Sequence, residues 1–317
     1  METSASPLAA PHRHLPPVST FVSDVLSLGV RSLKPAISAL LLLCFYRFGM
    51  GLYSEFAVQQ TSPLGHPDNR AQAAHIILTA AAYLPLLVLV YTPFLPLQDA
   101  ILRGGRKSFF ESVRHVLENM VPFTLSAILQ LVILITPVFV MFFVAAAALS
   151  TVPEAPAEVL AGTLALLILP ACAWLGLAGV FMLFATPALV LDGMGPLRSL
   201  AFSVREVARR FWGVLGRLIV GFGLVFAAVL LASFPASILK MTALASGFDP
   251  PALKIARVLW TSFVTAAAFP FSVAVLMVLY RGVAPIEAPP PVPPAPESPP
   301  PAGEGEPHKP ETPYVFE

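Results

Sequence analysis

Arg47 is a charged residue that stands well inside an apolar stretch of this sequence, between Tyr46 and Phe48. A charged side chain is costly inside a bilayer, and such residues often mark binding sites or transport pathways. Two interpretations are open. The guanidinium either snorkels along its own helix to the headgroups, or it faces other helices and pairs with a polar side chain near the outer surface. The side chains that could pair with it are Glu55, Gln59 and His75.

Asp99 and Asp192 form a second set, because each ends an apolar stretch and is followed by basic residues. A carboxylate in this position is typical of a helix cap or an ion pair that fixes the next element. The alternative is a cation or proton site, but no second acid lies deeper in the apolar stretches to relay a proton. The expected ion-pair partners are Arg103 or Arg114 for Asp99, and Arg198 or Arg205 for Asp192.

Other reactive residue types lack the spacing that their chemistry requires. His66, Asp68 and His75 lie in or beside a Pro- and Gly-rich turn, whereas a structural zinc site needs four well-spaced ligands. Cys44 and Cys172 stand alone in apolar stretches and form no CxxC motif. No nucleophile–base arrangement or phosphate-binding loop is recognisable. The sequence therefore predicts a protein that is not an enzyme and binds no metal or cofactor.

The elements that position these residues are membrane helices. Of 317 residues, 56% are hydrophobic and 12% charged, and the mean hydropathy is +0.78. The charged fraction is about half of that in soluble domains. Apolar stretches of roughly 20 residues span a bilayer, and they must be helical because lipid offers backbone groups no partners. We predict an all-α polytopic protein whose six spans are Leu33–Tyr53, Ala73–Leu97, Val121–Leu149, Val159–Leu191, Gly213–Leu239 and Val258–Tyr280.

Basic residues are concentrated on one side of these spans. Eleven Lys and Arg residues flank the predicted inner ends, against four at the outer ends (Arg70, Lys240, Lys254 and Arg257). The positive-inside rule then places both termini in the cytoplasm. The first 20 residues lack the apolar core of a signal peptide. We expect the bacterial inner membrane as the location. The total charge is nearly balanced, 19 basic against 18 acidic residues, and does not suggest binding of nucleic acid.

Two segments between the spans are amphipathic at the helical period. In the first, the predicted apolar stripe is Phe109, Val113, Val116 and Met120, and Arg114 lies opposite. In the second, the stripe is Leu200, Val204, Val207 and Phe211, and the opposite side carries Arg198, Arg205 and Arg209. These helices are interpreted either as structural elbows or as interfacial helices whose arginines face anionic lipid headgroups or a partner protein.

The chain also matches itself. Thr92-Pro93-Phe94-Leu95 recurs as Thr186-Pro187-Ala188-Leu189, and each is followed by its acid. The pattern Ser-x-x-x-Ser-Val-Arg-x-Val begins at Ser108 and again at Ser199. A fainter third copy comprises Phe269-Pro270-Phe271 and the striped segment Phe21–Leu33. Because the two strong copies face the same side, we predict three parallel repeats of a surface helix and two spans.

The second copy carries a resemblance to a known family. Thr186–Gly193 ends a proline-bearing span in an acid, Gly195–Leu200 and Ser203 form a surface helix, and Phe211-Trp212 precede the next span. This pattern resembles a six-helix bacterial membrane domain that is related to the membrane domain of glycerophosphoryl diester phosphodiesterases. The resemblance implies the fold over most of Phe21–Gly282. It does not extend to the phosphodiesterase activity, since no catalytic domain accompanies it here.

We therefore divide the chain into a disordered N-terminus (1–20), a six-helix membrane domain (21–282) and a disordered tail (283–317). The tail is rich in proline and carries six Glu against one Lys. Such a composition favours polyproline II over a packed core. The tail is either a solvated extension or a docking strip for a partner protein.

The expected function is that of a non-catalytic scaffold or accessory factor that organises lipids or partner proteins. The alternative is a small-solute or lipid transporter or channel, which prolines within the spans and Arg47 would suit.

Overall fold

The structure is a computed structural model, and it describes residues 15–58, 87–150 and 157–284. Within these ranges the chain is all-α, without strands. The helices are α1 (Val18–Leu33), α2 (Ile37–Tyr53), α3 (Thr92–Leu102), α4 (Phe109–Glu118), α5 (Met120–Ser150), α6 (Ala157–Phe181), α7 (Ala185–Asp192), α8 (Pro196–Arg209), α9 (Phe211–Ser246) and α10 (Pro251–Val283). Two π-helical turns, Ser54–Val58 and Leu87–Tyr91, follow α2 and precede α3.

Five helical segments in the described ranges are long and apolar enough to cross a membrane: Ile37–Phe56, Met120–Ala147, Leu166–Asp192, Phe211–Ala243 and Pro251–Val283. They correspond to five of the six predicted spans. The remaining predicted span, Ala73–Leu97, falls mostly outside the described residues. Helices of membrane-spanning length and hydropathy are thus present as the composition predicts, and the number six stays a prediction.

Prolines displace two of the predicted boundaries. The first span does not begin at Leu33, because Leu33 ends α1 and a turn containing Pro35 separates it from α2. The fourth is interrupted at 182–184, just before Pro187, and continues as the short helix α7. A proline ring disfavours helical geometry in the preceding residue and removes one backbone donor. Gly193 then ends α7 with a left-handed φ of 63°, which glycine adopts without strain.

Helix α4 is the first of the two predicted amphipathic segments, and a capping box fixes its start. The Glu111 backbone N–H donates to Ser108 Oγ over 3.2 Å, and the Ser108 N–H donates to Glu111 Oε2 over 2.9 Å. The buried stripe differs in part from the prediction. It consists of Phe109, Ser112 and Val116, whereas Met120 is 47% exposed.

In helix α8, the second amphipathic segment, the buried stripe also differs in part from the prediction. Ser199, Ser203 and Val207 face the bundle, and Val204 is 42% exposed instead of buried. The Ser203 hydroxyl donates to the Phe181 carbonyl (2.7 Å) and accepts from the Phe184 N–H (2.9 Å). These bonds satisfy backbone groups at the break between α6 and α7. Serine is therefore preferred to a larger apolar residue on the buried side.

Helix α10 is the centre of the fold. It packs against α1, α2, α3 and α9, and the residues from Val273 to Tyr280 are all buried. The aromatic side chains of Phe21, Phe94, Phe184 and Tyr280 are fully enclosed around it. The C-terminal half of α10 is thus enclosed by segments that are distant in sequence. Asp99 and Asp192 lie at the same end of this helix.

Candidate functional site

The acids of the two strong sequence copies meet at one arginine. Arg281 Nε lies 2.6 Å from Asp99 Oδ1, and its Nη1 lies 3.3 Å from Asp192 Oδ1. The Arg281 side chain is only 9% exposed. Three helices distant in sequence, α3, α7 and α10, are joined in this way. We call this end of the bundle the Arg281 end.

Two further side chains complete the network. Arg103 Nε lies 2.9 Å from Asp99 Oδ2, which is one of the two pairings expected for that acid. The Tyr280 hydroxyl donates to Asp192 Oδ2, and the Arg281 guanidinium lies 5.2 Å from the centre of the Tyr280 ring. Two carboxylates thus face two guanidiniums.

The partners of Asp192 differ from the prediction. Arg198 and Arg205 were expected, but the structure pairs Asp192 with Arg281 and Tyr280. The reason is geometric: after Gly193 the chain turns, and α8 presents Arg198 and Arg205 on its exposed side. The sequence reasoning missed Arg281 as a site residue. Its signal was a basic residue at the predicted inner end of the sixth predicted span, where both acids were also predicted to lie.

A buried polar contact lies next to this network and was also missed. Gln98, which is fully buried, donates through Nε2 to the Pro270 carbonyl (2.8 Å) and to Ser32 Oγ (3.2 Å). Ser32 in turn donates to the Gly29 carbonyl (2.8 Å). One amide therefore joins α1, α3 and α10. Together with the ion network, it gives the Arg281 end a defined arrangement of helices.

The four arginines expected to face lipid or a partner are on the surface of α4 and α8. Arg114 has a side chain that is 83% exposed and pairs with Glu118 over 3.0 Å, while Arg209 pairs with Glu206 over 3.5 Å. Arg198 and Arg205 are exposed and have no ion pair among the described residues. Exposed pairs of this kind contribute little to stability. These cations are thus available to an external anion.

Apolar side chains accompany the exposed arginines. On α4, Phe110 (74% exposed) and Leu117 (47%) lie one turn before and after Arg114. On and just after α8, Leu197 (72%) and Trp212 (80%) bracket the arginines. An apolar surface beside cations is the pattern of a helix that lies in the headgroup layer.

Arg47 lines an open cavity of about 600 Å³. The cavity lies between α2, α9 and α10, and the lining contains the hydroxyls of Thr265 and Ser272. Of the partners expected for Arg47, Glu55 lies 3.9 Å from Lys240 instead, while Gln59 and His75 lie outside the described residues.

A separate ion cluster lies at the opposite end of α10. Arg257, which is 6% exposed, donates to both carboxylate oxygens of Asp249 over 2.9 and 3.0 Å. Lys254 lies 3.8 Å from the same acid. Hydrogen bonds from Arg257 hold the pKa of Asp249 below its ordinary value, and the nearby lysine charges act in the same direction.

Potential metal ligands do not come together in the described parts of the chain, where no group of three or more His, Cys, Asp or Glu side chains could hold an ion. The His66, Asp68 and His75 set lies outside those parts. His115 contacts the Val190 carbonyl through Nε2 over 3.1 Å, which ties α4 to α7. The geometry of the Arg281 end is that of an assembly point between helices.

Comparison of the chain with protein-family models, with curated proteins and with solved structures gave no match. The likeness to the phosphodiesterase membrane domain therefore stays an expectation from the sequence.

Proposed function

We propose that this chain is a non-catalytic integral membrane scaffold whose surface helices α4 and α8 gather anionic lipid headgroups. The observation that carries the proposal is the exposed arginine set of these helices, set beside exposed apolar side chains. Both helices pack against the membrane helices at the Arg281 end. A cation near an anionic leaflet contributes about 1 kcal/mol.

The spacing of the surface helices supports three repeats. Arg31, Arg114 and Arg205 each follow a valine, and each lies six residues before the first residue of the next helix: Ile37, Met120 and Phe211. The residue two positions before each arginine, Gly29, Ser112 or Ser203, is buried. We infer that α1 is the third surface helix of the set and that six spans complete the three units.

The proposal includes an orientation and a location. The bacterial inner membrane, with both termini in the cytoplasm, would bring the Arg281 end and the surface helices to the anionic inner leaflet. The acidic, proline-rich tail 283–317 would extend from the same end, and its composition suits a docking strip for a partner protein.

The test is lipid selectivity of the full chain in vesicles of phosphatidylglycerol and phosphatidylcholine. We expect Arg114→Gln with Arg205→Gln to lower the preference for phosphatidylglycerol among the lipids retained around the protein, by about 1 kcal/mol for each arginine. The matched Arg114→Lys, Arg205→Lys protein keeps the charge and should keep the preference. An unchanged preference in the glutamine protein would contradict the proposal.

A second candidate function, a small-solute or lipid transporter or channel, is favoured by one observation. The cavity between α2, α9 and α10 brings Arg47 together with Thr265 and Ser272 among apolar side chains. Such a mixture of one charge, hydroxyls and apolar walls is common in ligand sites.

A further inference from the structure

The Arg47 cavity lies near the middle of the membrane spans that form it. Arg47 is ten residues after Ile37 and nine before Phe56 in its span, which corresponds to roughly 14 Å of helix on either side. The residues from α9 lie at 222–229 of the span Phe211–Ala243, and those from α10 at 265–272 of the span Pro251–Val283. The backbone of Arg47 therefore lies near the middle of its candidate span, at the level of the cavity.

Within the described residues, the charge of Arg47 has no opposite charge beside it. Among the described residues it forms no ion pair, since Glu55 pairs with Lys240 and the cavity lining contains no acid. Thr265 and Ser272 donate their hydroxyl protons to backbone carbonyls of α10, at 2.7 and 3.4 Å. Their oxygens can still accept hydrogen bonds from water. A cation that retains its charge at this depth requires an anion or water as its partner.

The walls of the cavity fit an alkyl chain. One side is formed by the α9 residues Phe222, Val225, Phe226 and Val229. Phe222 and Phe226 are 42% and 62% exposed, so this wall is continuous with the lipid-facing surface of the helix. Lipid can thus enter sideways, and the cavity volume of about 600 Å³ lies within the range of ligand sites.

We propose that the cavity binds an anionic phospholipid, with the headgroup phosphate on Arg47 and an acyl chain along the α9 wall. Charge complementarity selects the headgroup, because a guanidinium donates two parallel hydrogen bonds to phosphate oxygens. The lateral opening selects a membrane lipid over a water-soluble anion. The inference rests on the second candidate function and names its ligand class.

The test uses the full chain in phosphatidylcholine vesicles with a small amount of phosphatidylglycerol that carries a photoreactive acyl chain. In the wild-type protein, crosslinks should map to residues 222–229 of α9. We expect Arg47→Gln to reduce this labelling about tenfold, as the loss of a charge-assisted hydrogen bond would. Arg47→Lys should retain most of it. Arg106→Gln, at an exposed arginine between α3 and α4 that belongs neither to the cavity nor to the surface helices, should retain all of it.

Three results would overturn the inference. The first is equal labelling in the wild-type and Arg47→Gln proteins, and the second is equal labelling by photoreactive phosphatidylcholine. The third is preferential labelling by a photoreactive fatty acid, which would identify a carboxylate as the ligand. Thermal unfolding of each variant distinguishes loss of lipid binding from loss of the fold. If Arg47→Gln does not fold, the test rests on the wild-type and Arg47→Lys proteins, whose labelling by phosphatidylglycerol should exceed their labelling by phosphatidylcholine. Movement of phosphatidylglycerol between leaflets is measured separately, so that binding without movement would refute transport alone.

Discussion

Arg281 is the residue on which the ion network depends. It is the cation shared by Asp99 and Asp192, and its side chain is nine-tenths buried. Arg103 reaches only Asp99, and its side chain is 44% exposed. Removing one partner of a buried ion pair leaves an uncompensated charge, whereas an exposed ion pair contributes little to stability. Loss of Arg281 should therefore destabilise the protein much more than loss of Arg103.

We expect Arg281→Gln to lower the free energy of unfolding by about 3 kcal/mol, since it leaves Asp192 without its cation and Asp99 with only Arg103. Arg103→Gln should cost less than about 1 kcal/mol. Thermal unfolding of both variants in one detergent provides the comparison. Equal losses would show that the network does not hold the helices together.

Asp249 at the opposite end gives a pH dependence. Arg257 holds the folded-state pKa of Asp249 below its ordinary value of 3.8. The stabilising contribution is therefore complete above the unfolded-state pKa and is lost as the pH falls through the lower, folded-state pKa. We expect Asp249→Asn to flatten the fall in Tm as the pH is lowered below about 4. Glu118→Gln, at a pair with both side chains exposed, is the control. An unaltered pH profile in Asp249→Asn would refute the effect.

Among the elements, α2 and α10 approach each other closely at a glycine of α2. A Cβ atom on Gly51 would lie 2.5 Å from Val258 Cγ1, whereas one on Gly49 would meet nothing within 4 Å. The two glycines lie two residues apart in one helix and so form a matched pair. Val258 cannot easily turn away, because β-branched side chains have one preferred rotamer in a helix.

We expect Gly51→Ala to destabilise the protein by about 1–2 kcal/mol through overpacking. Gly49→Ala should be neutral or stabilising, by up to about 1 kcal/mol, because alanine is the better helix former. The measurement is the Tm of each variant, which should be lower for Gly51→Ala than for Gly49→Ala. If Gly51→Ala were as stable as Gly49→Ala, the close approach of α2 and α10 would be wrong.

At the scale of the whole molecule, the sequence predicts what is local and misses what depends on the packing of distant segments. Membrane helices are recognisable because about 20 apolar residues are a signal in themselves. The Asp99–Arg103 pair was predictable as well, since its members lie one helical turn apart. The pairing of Asp192 with Arg281 spans 89 positions, and the Gln98 contact to Pro270 spans 172. No pattern within one helix indicates such partners.

The surface helices illustrate the same limit. Their amphipathic character follows from residue spacing, but the buried sides of α4 and α8 contain Ser112 and Ser203, which a hydrophobicity pattern places elsewhere. Ser203 is buried because its hydroxyl bonds the chain at the break between α6 and α7. The need for a hydroxyl at this position becomes visible only when α8 is packed against the break between α6 and α7.

The position of Arg281 near the end of α10 has a consequence for biosynthesis. Asp99 is translated 182 residues earlier. At about 5–20 residues per second, the ribosome needs roughly 9–36 s to supply the matching cation. Asp192 follows during that interval, 89 residues before Arg281, so both acids are in the nascent chain before the cation that they share, and the joined arrangement of α3, α7 and α10 forms only after α10 has been translated. A chain truncated before Arg281 would leave Asp192 without its cation and Asp99 with Arg103 alone.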